Sequence, residues 1–146
     1  MTQSTATQIV LDNLTEQTIR FESVGSGNIA MQVGDGGTFY NNIYDADDNI
    51  VGNTVGMVIA VSQRASDQHV LTEYVEVIQL ADGMLRTSGT VDRIAMFGGA
   101  PIRLDVVGIG GAYVGMTGTR ECRLLPPFPP TVDSRVGVTI VLDKTA

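Results

Sequence analysis

AYVGMTGTRECRL (residues 112–124) alternates with period two. Ala112, Val114, Met116, Gly118, Arg120, Cys122 and Leu124 share one face of an extended chain, and Tyr113, Gly115, Thr117, Thr119, Glu121 and Arg123 the other. Neighbouring side chains of a strand point to opposite sides of its sheet. One mostly apolar and one mostly polar face therefore predicts a half-buried antiparallel strand. The stretch is also glycine-rich, which invites a phosphate-loop reading. Its spacing is not G-x-x-x-x-G-K-[ST], and no helical pattern follows, as a G-x-G-x-x-G fingerprint requires. Glycines at 115 and 118 instead thin the strand, allowing tight bending or close approach of a ligand or backbone.

The same alternation recurs outward from this point. Ile102, Leu104 and Val106 share a face, as do Val132, Val136, Val138, Ile140 and Leu142. Strands are predicted near 17–24, 36–44, 50–63, 69–80, 84–96, 101–108, 112–124 and 132–143, separated by DADDN, RASDQ, ADG, FGG and GIGG turns. Connections this short make neighbours antiparallel. Eight strands without a convincing helix point to an all-β fold. We read it as a single eight-stranded antiparallel barrel with a ligand-holding lumen, since closure removes the edges. A two-sheet sandwich is the alternative. Residues 15–146 form the barrel domain and 1–14 a flexible arm, either disordered or lid-like. PPFPP (126–130) cannot pair inside a sheet and reads as a stiff loop at a barrel end.

Composition narrows the function. Hydrophobic residues make up 43% of the chain and charged ones 17%, which calls for an apolar interior, interface or pocket. Nine Lys+Arg against sixteen Asp+Glu give a net charge of −7, which repels phosphate backbones and argues against nucleic acid as a partner. There is one cysteine, hence no internal disulfide framework. No basic, apolar leader and no membrane-length apolar run are visible, so a soluble cytoplasmic protein is expected.

Few residues carry chemistry. Asp45, Asp47 and Asn49 begin like a calcium loop, but Ile50 replaces the sixth-position glycine and Gly56 the twelfth-position glutamate. His69, the sole histidine, reads as outward-facing, and no metal-ligand spacing surrounds it. Cys122 reads as a small apolar wall residue. Arg120 is the informative one. It lies on the apolar face of its strand, where an unpaired guanidinium is costly. Either it pairs with an inward carboxylate, for which Glu76 is the candidate, or it meets a ligand. The pattern of strand 69–80 does not say which face is inward; if the even one, Tyr74 and Glu76 share the lumen with Arg120.

The segments GTFYNNIYD (37–45), TEYVEVIQLADG (72–83) and YVGMTGTRECRL (113–124), in this order and spacing, resemble the spirotetronate cyclases. These are bacterial Diels–Alderases of polyketide pathways within the allene-oxide-cyclase-like barrels. The resemblance covers about 36–124 and is poor over the first thirty residues. It implies a homodimeric barrel with a polyketide substrate in the lumen, no cofactor and no metal. It implies Arg120 and Tyr74 as catalytic residues. Phe39, Glu76, Leu104, Met116, Cys122 and Leu124 become substrate-binding candidates, with Arg93 and Glu16 less securely aligned. Cys122 stands where the best-known member of that family has a tryptophan, and Leu104 where it has a tyrosine, which implies a roomier, more apolar pocket. The reaction implied is an intramolecular [4+2] cycloaddition. Other ring closures with Glu76 as the ionisable group, or a non-catalytic hydrophobe-binding barrel, are the alternatives.

Overall fold

The computed structural model describes residues 6–28 and 31–145. Eight strands follow one another: β1 (Ala6–Val24), β2 (Gly36–Tyr44), β3 (Ile50–Gln63), β4 (Val70–Leu80), β5 (Gly83–Asp92), β6 (Ile102–Gly111), β7 (Thr117–Leu124) and β8 (Val136–Thr145). Each pairs antiparallel with its sequence neighbours, and β8 returns to β1, so the sheet closes into a barrel in simple chain order. Closure leaves no strand edge to cover. The even face of β4 points inward, which places Tyr74 and Glu76 on the lumen side with Arg120.

Four local expectations change. The strand read over 17–24 begins at Ala6, so residues 6–14 belong to the barrel wall rather than to an arm; residues 1–5 lie outside the described residues. A bulge between Leu11 and Leu14, with Asn13 at φ 54°, breaks the period-two pattern that would have revealed it. The strand read over 84–96 stops at Asp92, whose Oδ1 accepts the Ala95 amide at 3.1 Å and caps a short helix, α1 (Arg93–Phe97). The stretch 112–124 is not one strand. β6 runs on to Gly111, a turn occupies 112–115 and β7 begins at Thr117. Gly111 (φ 60°) and Gly115 (φ 82°) make that turn, which swings Tyr113 inward to 2% exposure. The last strand begins at Val136 rather than 132, leaving Val132 85% exposed in the preceding loop.

Gly118 answers to the expected close approach. A Cβ there would lie 1.7 Å from the Val141 carbonyl oxygen on β8, so no larger residue fits this pairing.

The interior is layered. At one end Ile43, Ile78, Leu85, Val106, Tyr113, Met116, Val138, Ile140 and Leu142 pack into a solid plug. At the other, Met31, Phe39, Val58, Ala60, Val70, Tyr74, Val91 and Leu104 form a second apolar cluster. Buried Glu16, Asn41, Thr54, Glu76, Thr87 and Arg120 form a hydrogen-bonded polar group on five different strands besides β4.

Candidate active site

A cavity of about 830 Å³ opens at the Phe39–Tyr74 end. Its outer walls are apolar: Ile19, Phe21 and Val24 of β1, Phe39 of β2, Met96 and Phe97 of α1, and Val132 of the β7–β8 loop. Phe21 stacks parallel on Phe39 with ring centres 6.4 Å apart, and Phe39 meets Tyr74 at 6.0 Å. Gly56 makes room for this arrangement. A Cβ there would come within 2.5 Å of the Phe39 ring and 2.9 Å of Glu76 Cγ.

Three ionisable side chains meet on the lining. Arg120 Nη1 donates to Glu76 Oε2 at 2.5 Å, and Arg120 Nη2 donates to Glu16 Oε2. Glu16, Glu76 and Arg120 are all at most 4% exposed. Thr54 Oγ1 donates to Glu16 Oε1 at 2.6 Å, Asn41 Nδ2 to the same oxygen at 3.3 Å, and Thr87 Oγ1 to Glu76 Oε2 at 2.9 Å. Buried charges survive only when paired and hydrogen-bonded in this way. Burial works against the Arg120 charge, but Glu16 and Glu76 hold its proton on well beyond the ordinary arginine range. Burial raises the Glu76 carboxyl, with Arg120 opposing and Glu16 adding to the rise. Of the two readings open for Arg120, the carboxylate pairing is present, with a second partner in Glu16. Its Nε has no hydrogen-bond partner, nor has Asn41 Oδ1.

Tyr74 forms a second polar point. Its hydroxyl accepts Arg93 Nη1 at 2.5 Å, and Arg93 lies over the Phe97 ring, 4.9 Å from its centre. Burial raises the Tyr74 phenol, with Arg93 opposing. Tyr74 is thus a neutral hydroxyl polarised by a cation. Burial pushes the Cys122 thiol up to about 12, which removes thiolate chemistry at neutral pH.

Phe39, Tyr74, Glu76, Arg120, Cys122 and Leu124 all line the cavity, as do Arg93 and Glu16. Leu104 and Met116 do not. Leu104 packs on Gly89, whose added Cβ would meet it at 2.9 Å, and Met116 belongs to the closed plug. Sequence reasoning missed Met31, Met96 and Phe97, which reach the lining from the β1–β2 connection and α1. The Asp92 cap was the available signal for α1. His69 lies away from the cavity. Its Nδ1 is 2.8 Å from Asp92 Oδ2, and the Arg64 guanidinium sits on Asp67 and Asp92 where a metal shared by these three groups would need to be.

Residues 13–142 match the model of the allene oxide cyclase barrel like domain. The chain belongs to this family. Among solved structures it is similar to AbnU, an exo-specific intermolecular Diels–Alderase, at 30% identity and TM-score 0.83 over 95% of this chain and 98% of that one. It is also similar to the Diels–Alderase AbmU from Streptomyces koyangensis, at 30% identity and TM-score 0.79 over 92% of this chain and 63% of that one. A nonspecific haem-binding cyclase of neoabyssomicin biosynthesis matches at 29% identity and TM-score 0.81, over 94% of this chain and 64% of that one. No curated protein matches the chain. Among the described residues no helix is long and apolar enough to cross a membrane.

Proposed function

We propose that this protein is a natural-product cyclase that closes a ring by an intramolecular [4+2] cycloaddition of a linear polyketide polyene with an oxygen-rich head such as a tetronate. One observation carries the reading: an open cavity of about 830 Å³ with apolar walls and a few fixed, buried polar groups. A [4+2] closure moves electrons only within the substrate. It needs no acid, base or metal, only diene and dienophile held face to face. Preorganising two reacting ends is worth up to ~7–11 kcal/mol. Phe21, Phe39, Cys122 and Leu124 would fold the hydrocarbon arm by shape. Tyr74, with Arg93 on its oxygen, keeps its own proton for a substrate carbonyl. Arg120 gives one N–H from each Nη to Glu16 and Glu76, so its charge is already balanced inside the floor and its role is to position that floor rather than to grip an anionic head.

Incubation with a linear polyenyl tetronate is expected to yield an isomer of unchanged mass on chromatography. Recovery of bound, unreacted polyene would favour a carrier barrel instead. A product of summed mass from separate diene and dienophile would make the reaction intermolecular. We also infer that closure needs no cofactor, supported by the sole histidine lying off the cavity lining; added haemin is expected to leave the rate unchanged or to compete.

A homodimer is part of the proposal. Val55, Met57, Ile59 and Val61 form an exposed, uncharged strip on the outer face of β3, extended by Val75 of β4. In a chain of net charge −7, that strip is where a second copy meets little repulsion. Met57→Lys is expected to shift the mass in solution from dimer to monomer. The lone free cysteine is the support for a cytoplasmic location.

A further inference from the structure

Two carboxylates share one guanidinium beside the cavity, and their donors are distributed unequally. Glu16 uses both oxygens: Oε1 accepts Thr54 and Asn41, and Oε2 accepts Arg120. Glu76 takes both of its donors, Arg120 Nη1 and Thr87 Oγ1, on Oε2. No described residue donates to its Oε1, and Glu76 lines the cavity.

One guanidinium balances one carboxylate. A second ionised carboxylate, in a site where all three residues are at most 4% exposed, would leave a buried negative charge uncompensated. Carboxyls that share a site avoid this by keeping one proton between them. The donor pattern says where that proton resides. Glu16 has three donors on its two oxygens and serves as the acceptor-only ion, whereas Glu76 has one oxygen free.

We propose that Glu76 carries a proton on Oε1 and donates it as a hydrogen bond to a carbonyl oxygen of the substrate. Its catalytic role rests on the cyclase reading above. The titratable groups around it are Glu16 on β1, Tyr74 on its own strand, and Arg120 and Cys122 on β7, with Arg93 beyond Tyr74. The flanking strands present only Gly56 and Thr87. Burial raises the carboxyl in the direction this assignment requires. Glu76 lies two residues from Tyr74 on the same inner face, about 7 Å along the strand, so the two hydroxyl donors suit two oxygens of one dicarbonyl head. No proton is transferred. The hydrogen bond strengthens as the carbonyl draws density from the diene in the transition state, and the acid is unchanged after each turnover.

The test pairs kinetics with spectroscopy on the intact protein. The wild-type cyclisation rate is expected to be level from mild acid to neutral pH and to fall above that. E76Q keeps an N–H donor; it is expected to stay within about threefold of wild type and to lose the pH dependence, whereas E76L should fall about a hundredfold. The infrared band of an un-ionised carboxylic acid should be present at neutral pH in wild type and in the exposed-site control E121Q, and absent in E76Q. Absence of the band from wild type, or a folded E76L as active as wild type, would overturn the proposal. If wild type cyclises no linear polyene at all, the donor role falls together with the cyclase reading, and the band still decides where the proton is.

Discussion

The two ends of the barrel are built from the same alternating strands and end differently. At the closed end, β6 overruns its hairpin and the 112–115 turn folds Tyr113 into the lumen, where its hydroxyl donates to Asp82 Oδ1 at 2.6 Å. Met116 and the branched residues around it pack into one buried cluster. At the open end, β1 passes a register shift between Thr18 and Arg20, and Ile19, Phe21 and Val24 remain substantially exposed on the cavity wall. The hairpin turns there are replaced by α1 and longer connections. Filling thus follows from what the loops insert, not from strand number alone. The closed end supplies a packed core, and the open end an apolar cavity large enough for a small ligand.

The predictions attack this contrast in decreasing order of effect. Arg120→Ala removes the cation between two buried carboxyls, so a urea melt should show a loss of about 3–5 kcal/mol with cyclisation abolished. A fully stable, active Arg120→Ala would dissolve the distinction between floor and plug. Tyr74→Phe keeps the ring and deletes the polar point of the open end. Single-turnover kinetics should then slow roughly a hundredfold or more, with stability changed by only about 1 kcal/mol. Cys122→Trp fills the cavity from its wall. It should slow closure of the bulkiest substrates first, and repacking should cost about 1–3 kcal/mol.

A smaller effect comes from pH. Burial raises the Glu76 carboxyl in the folded protein, with Arg120 opposing, so the folded chain holds that proton more tightly than the unfolded one. Stability from this group is complete below the unfolded carboxyl range and is lost as pH rises through the folded value. Melting across that window should therefore show a downward slope that Glu76→Gln removes. Smallest of all, Tyr113→Phe at the closed end should cost about 1 kcal/mol and leave the cyclisation rate untouched.

Much of this was legible in the residues, and the losses have local causes. Strand number and the inward face of β7 follow from period-two alternation, and closure from the need to leave no strand edge uncovered. Tyr113 went astray because two left-handed glycines, Gly111 and Gly115, convert an apparent strand start into a turn and invert parity. The first half of β1 was hidden by a one-bulge phase break near Asn13. In the site, pairing of Arg120 with Glu76 could be anticipated from face and charge. The second carboxylate, Glu16, sits 104 residues away on a strand joined only by barrel closure, which local patterns do not encode. Met116 was on the right face but at the wrong height, because parity fixes direction and not depth along the barrel; Leu104, level with Arg120, is instead packed down on Gly89 in the open-end cluster.

The central claim is that the open end turns over substrate rather than merely holding it. A time course of a linear polyenyl tetronate with substoichiometric protein tests this directly. The account predicts conversion of all the polyene to one isomer of equal mass, many molecules per barrel. Uptake that stops at one equivalent, with the polyene recovered unchanged, would contradict it.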